Sequence, residues 1–240
     1  LFDGALGSHG AWMLKPYLSL PDSTGLNTET IAVMEKTAEI AMKYQLQLCT
    51  HAIGDRANRE ILNIYERAFT KNPRKTDLRW RVEHAQHLDE ADIPRFSKLG
   101  VIAAMQAIHC TSDGPWVEKR IGKHRAKSGA YVWRKLIKSG ALICNGTDVP
   151  VENIDPIACF YASVTRRSSP AFVFYPGQKM SRMEALRSYT INGAVAAFEE
   201  DIKGSLKTGK LADITVLSQD IMVVPEEEIM RTRIVYTILG

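Results

Sequence analysis

The stretch LCTHAIGDRANREILNIYERAF, residues 48–69, runs from an apolar segment into a histidine, a Gly-Asp-Arg turn and a helical pattern. Ile61, Ile64, Tyr65 and Ala68 recur at helical spacing and mark one buried side. A strand that ends on His51 and feeds a helix is one βα unit. Working outward, the same alternation repeats. TETIAVMEKTAEIAMKYQ (28–45) is helical, with Asn27 or Thr28 as its cap, and LQLCTH (46–51) is a strand. LRWRVEH (78–84), VIAAMQ (101–106) and ALICNGTD (141–148) are further strands. DEADIPRFSKLG (89–100) and GAYVWRKLIKSG (129–140) are helices stopped by Gly100 and Gly140. Two more helices follow, around DPIACFYASVTRR (155–167) and RMEALRSYTINGAVAAF (182–198).

Strands of this length separated by helices build a parallel sheet. Doubly wound sheets and (β/α)₈ barrels both fit the alternation. His51, His84, Gln106 and Asp148 each stand at the C-terminal end of a different strand, and a barrel gathers such ends around one mouth. That favours the barrel. After Phe198 the pattern changes: KGSLKTGKLADITVLSQD and RTRIVYTILG read as short strands of a small β domain, with a turn at PEEEIM between them. Gly204 and Gly209 suit tight turns. The Gly-Lys of this stretch is no phosphate loop, because Leu211 stands where a hydroxyl is needed and a strand follows where a helix should.

With 240 residues, a formal charge of +4 and scattered basic residues, the composition is that of a globular protein and implies no nucleic-acid partner. No apolar run reaches the roughly 18 residues that would span a bilayer. Cys49, Cys110, Cys144 and Cys159 form no C-x-x-C pair and read as free, mostly buried thiols. This favours a reducing compartment, and the expected location is cytoplasmic.

His51, His84 and Asp148 carry the chemistry. One strand-end histidine alone is more often a packed or hydrogen-bonded residue. Two histidines and a carboxylate on separate strands match the ligand set of a catalytic zinc, which keeps a further position open for water. His109 either touches substrate or metal, or is a solvated loop residue. Asp55 reads as a cap for the helix after His51. Glu83 points away from His84 on a regular strand and reads as a structural partner. His87 reads as a loop position, with a supporting contact to the site as the alternative. Trp116, Tyr131, Trp133 and Arg134 lie where barrel loops shape a pocket, although core packing explains Trp133 equally well. His9 and His124 read as surface residues.

HAIGDRA, RVEHAQ, MQAIH, GTDVP and GSLKTGKLADITVL occur in the order expected of the amidohydrolase superfamily. The chain most resembles the branch of YtcJ-type hydrolases and N-substituted formamide deformylase, over essentially its whole length. The resemblance implies a metal-dependent hydrolase on a (β/α)₈ TIM barrel flanked by a composite β-sandwich. It implies that His51 and His84 bind a divalent metal, expected to be zinc as one or two ions, and that Asp148 binds metal and handles the proton. His109 is then a substrate-binding candidate. The implied reaction is hydrolysis of a C–N bond in a small-molecule amide or N-substituted formamide by metal-activated water. Ester hydrolysis on the same scaffold is an alternative, as is a metal-free, non-catalytic relative or assembly subunit.

The family also has an H-x-H pair on its first strand and a lysine ending its fourth. Neither occurs here, and LFDGALGS (1–8) resembles the stretch just after that lysine. The expectation is a C-terminal part: residues 1–200 from the barrel, about five of its βα units, and 201–240 from the β-sandwich. An incomplete barrel exposes sheet edges, so a homo-oligomer is expected.

Overall fold

The computed structural model describes residues 1–240, which divide into two compact units: 1–105 with 113–143, and 106–112 with 144–240. In the first unit, helix α1 (Ile31–Tyr44) begins at Thr30, whose side chain accepts a hydrogen bond from the Val33 amide at 3.2 Å. The cap is therefore Thr30, not Asn27 or Thr28. Asn27 instead forms a bridge with Asp3. Strand β1 (Cys49–Ala52), helix α2 (Asp55–Lys71), β2 (Arg81–His84), α3 (Ile93–Leu99) and β3 (Ile102–Met105) follow in strict alternation. Gly100 closes α3 in the left-handed conformation, as its position in the pattern predicts.

Next come α4 (Ala107–Ile121), α5 (Lys123–Gly129), α6 (Trp133–Lys138) and β4 (Ile143–Asn145), of which α4 and β4 run across the division between units. Strands pair in the order β1-β2-β3-β4. The first two pairings are parallel, with Ala52 opposite His84 and Glu83 opposite Ala104. A doubly wound sheet reverses its order at a switch point. Here each strand sits beside its predecessor, as successive strands of a (β/α)₈ barrel do.

The outer face of the sheet is covered by helices. Tyr65 of α2 donates to Thr50 Oγ1 on β1 at 2.8 Å, and Trp80, Trp133, Tyr131 and Phe96 are fully buried. Trp133 is thus a core residue. Asp55 differs from its expected role: Gly54 occupies the cap, and Asp55, one residue on, accepts from the Leu14 amide at 2.7 Å. Burial raises its pKa. It ties the early chain to α2.

His87 is buried as well, its ring edge-on to Tyr131 with centroids 5.5 Å apart. No protein group hydrogen-bonds to either ring nitrogen. Desolvation, then the Arg125 charge, push its pKa down to about 3. The unfolded chain takes up the proton near pH 6.5, so between about 6.5 and 3 it binds more protons than the folded state. Stability is therefore full above the unfolded value and falls as pH drops, by up to about 1.4 kcal/mol per pH unit. Urea denaturation across that window should show a steeper slope for the wild type than for His87→Phe. Equal slopes would mean that His87 is not held neutral.

In the second unit, α7 (Pro156–Thr165) is capped by Asp155, whose carboxylate accepts from the Ile157 amide at 2.9 Å. A short antiparallel ribbon, β5 (Arg167–Ser169) with β6 (Phe172–Val173), follows. Arg166 is buried beside it and donates to the Phe174 carbonyl at 2.6 Å. Helix α8 (Arg182–Tyr189) opens on a Ser181/Glu184 capping box, and a break at Thr190 separates it from α9 (Ile191–Ala196). The tail forms the antiparallel pair β7 (Ile214–Leu217) and β8 (Ile234–Ile238), joined through a 3₁₀ turn at Glu226–Arg231. All five residues of β8 are exposed. Of the cysteines, Cys110 and Cys159 are buried, Cys144 is partly covered and Cys49 is exposed, and no disulfide joins them. No helix is long and apolar enough to cross a membrane.

Candidate functional site

The first unit contributes two imidazoles. His51 is the third residue of β1 and His84 the last of β2. By register His51 lies opposite Glu83, so a regular period of two would send His84 to the other face of the sheet. His84 has φ of 79° and Ala85 of 45°. This left-handed corner breaks the alternation, and the His51 and His84 rings meet edge to face with centroids 4.5 Å apart. His84 is buried, and the His51 side chain keeps 17% of its exposure. Glu83 takes the structural part expected of it, accepting from Arg81 Nε at 2.8 Å.

Behind His51 stands a residue that sequence reasoning missed. Asp3 Oδ1 lies 3.3 Å from His51 Nδ1. The same carboxylate accepts from the amides of Ile53 (2.9 Å, on Oδ1), Gly54 (2.7 Å) and Trp12 (2.9 Å, both on Oδ2). A Cβ on Gly54 would stand 2.1 Å from the Trp12 carbonyl oxygen, so only glycine lets these segments close around Asp3. The signal in the sequence was the LFDG run itself, in which an aspartate follows two apolar residues.

The second unit contributes a carboxylate–imidazole–carboxylate row. Asp148 Oδ2 lies 3.0 Å from His109 Nε2, and Glu152 Oε1 lies 3.4 Å from His109 Nδ1. Glu152 also accepts from Ser112 Oγ at 2.6 Å. His109 is buried in the first turn of α4, so it is neither solvated nor on a loop. Asp148 follows β4 with φ of 63°, and its carbonyl accepts from the Val151 amide at 2.8 Å, which closes a turn. Glu152 was not singled out in the sequence; its position four residues after Asp148 in a loop-like GTDVPVE run offered no periodic signal.

Imidazole nitrogens and carboxylate oxygens are the donors that zinc and similar divalent ions accept. The first unit supplies two imidazoles and the second an imidazole with a carboxylate, donors of the kind that fit a divalent metal.

The amidohydrolase family profile matches residues 1–240. The chain is 37% identical over 218 residues to Protein LONG AFTER FAR-RED 3 of Arabidopsis thaliana, covering 90% of this chain and 37% of that one. It is 33% identical over 223 residues to the YtcJ protein of Bacillus subtilis, with 91% and 41% covered. It is 25% identical over 196 residues to N-substituted formamide deformylase of Arthrobacter pascens, with 82% and 36% covered. Among solved structures, an uncharacterized metal-dependent hydrolase from Pyrococcus horikoshii OT3 superposes with a TM-score of 0.83 at 29% identity, covering 94% of this chain and 45% of that one. The chain thus spans less than half the length of each.

Proposed function

This chain belongs to the amidohydrolase family, and from that premise we propose that the whole protein is a metal-dependent hydrolase of C–N bonds in small amides or N-substituted formamides. His51, His84 and Asp148 are its metal ligands. The observation that supports this best is the His51–His84 pair, two imidazoles from adjacent strand ends held 4.5 Å apart by a left-handed corner. The C–N substrate class draws on the formamide deformylase relative. In this reading residues 1–200 belong to the barrel and 201–240 to a β-sandwich.

A bound divalent ion such as zinc supplies a Lewis acid and makes hydroxide available near neutral pH. His51 and His84 would hold it through ring nitrogens. Asp148 would accept a proton from the attacking water and return it to the leaving nitrogen. His109 fixes that carboxylate through the 3.0 Å contact, and Glu152 fixes His109 in turn. His109 is also the candidate for contact with substrate. The substrate is a small molecule, and no nucleic-acid partner is part of the reading.

Metal analysis after purification without chelator tests it. The protein should carry stoichiometric divalent metal, and His51→Ala and His84→Ala should each lose it together with hydrolysis of a formamide or amide probe. A metal-free protein of full length would favour a non-catalytic barrel relative. Metal-dependent cleavage of esters with no amide or formamide turnover would move the reaction to another chemistry on the same scaffold.

A further inference from the structure

We propose that Asp3 is the positioning residue for His51: its carboxylate selects the Nδ1–H tautomer and fixes the ring, leaving Nε2 as the ligating nitrogen. The inference rests on the reading of His51 as a metal ligand and adds to it the device that orients the ligand.

The Asp3 side chain is fully buried. Its two oxygens receive three backbone amides from two separate segments, residue 12 and residues 53–54. Three amide donors fix a carboxylate in one orientation. The chain also runs beside β1 here, because the Phe2 amide donates to the His51 carbonyl at 3.1 Å. Asp3 is thus anchored at both backbone and side chain before it meets His51. His51 Nδ1 is closed off from solvent without a hydrogen-bond partner, and the Asp3 carboxylate lies beside it, with Oδ1 at 3.3 Å. A buried carboxylate can only accept at that edge, so the facing nitrogen carries the hydrogen. The remaining nitrogen of a neutral imidazole is then an acceptor, which is what a metal requires. A carboxylate behind a histidine ligand also raises the ligand's basicity, and loss of such a partner typically lowers metal affinity by about 10- to 100-fold.

Two measurements on the protein test this. In the metal-free, ¹⁵N-histidine-labelled wild type at neutral pH, long-range ¹H–¹⁵N correlation should show His51 with its hydrogen on Nδ1; a hydrogen on Nε2 would overturn the proposal. Zinc titration against a competing chelator should then show Asp3→Asn binding about 10- to 100-fold more weakly than wild type. His51→Ala serves as the reference. Metal lost in His51→Ala but held at wild-type affinity in folded Asp3→Asn would overturn the role of Asp3 alone. Wild-type affinity in His51→Ala would remove the ligand reading itself, and the proposal with it. Asp3→Asn disturbs the acceptors of three amides, so if it fails to fold, the tautomer in the wild type decides between the two outcomes.

Discussion

Replacing Asp148 by asparagine is expected to lower kcat by about 10²- to 10⁴-fold, the range for a positioned group that transfers the proton in the reacting step. The substitution keeps the shape of the side chain. It also suits the backbone, because asparagine shares with aspartate the tolerance of positive φ that the 63° at this position demands. The turn closed by the Val151 amide on the carbonyl of residue 148 is made by backbone atoms and should survive. What disappears is a basic oxygen able to take a proton. Steady-state kinetics on an amide or formamide probe, with metal content measured in the same samples, checks the claim. Retention of wild-type turnover within about threefold would remove Asp148 from the chemistry. Loss of metal together with activity would assign its main part to coordination.

A second large effect is expected at Trp80, far from any chemistry. Its indole is fully buried just ahead of β2 and packs edge-on to Tyr65 (4.9 Å) and Phe69 (5.1 Å) of α2. Its Nε1–H donates to the Leu46 carbonyl at 3.0 Å, just ahead of β1. One side chain thus pins two strands and a helix. Trp80→Ala removes the packing, opens a cavity and strips the Leu46 carbonyl of its donor, with an expected loss of about 3–5 kcal/mol. Set against a typical total of about 5–15 kcal/mol, this should bring the urea midpoint down by a large fraction of its value. An unchanged slope with a loss under about 1 kcal/mol would contradict the packing described.

The residues that the sequence revealed and those it hid differ in a physical way. Strand ends carrying His51 and His84 stand out because short apolar runs followed by helical patterns are local signals. Asp148 stands out for the same reason. Asp3 could not be found this way: its partners lie at residues 12, 51, 53 and 54, and a contact made through backbone amides leaves no trace in side-chain periodicity. The helix α4 was hidden by Gly114 and Pro115, a pair that usually marks a turn. The structure carries the helix through Pro115, and His109 consequently moves from loop to first helical turn. His87 does lie between helix and strand, as the pattern indicates, but its burial is not legible there, because Tyr131, more than forty positions away, covers it in space. The His51–His84 approach depends on a positive φ at a non-glycine residue, which no residue pattern announces.

That corner at His84 also restricts what can take its place over time. Among side chains able to bind metal, histidine, asparagine and aspartate are those enriched at left-handed φ. Glutamate or cysteine would meet the Cβ–carbonyl repulsion of that conformation, roughly 1–2 kcal/mol. With His84 as a ligand in the proposed reading, a shift toward a softer, thiolate-preferring ion would have to overcome this backbone bias before any gain in coordination could be felt, so the corner would favour nitrogen and oxygen donors at this position.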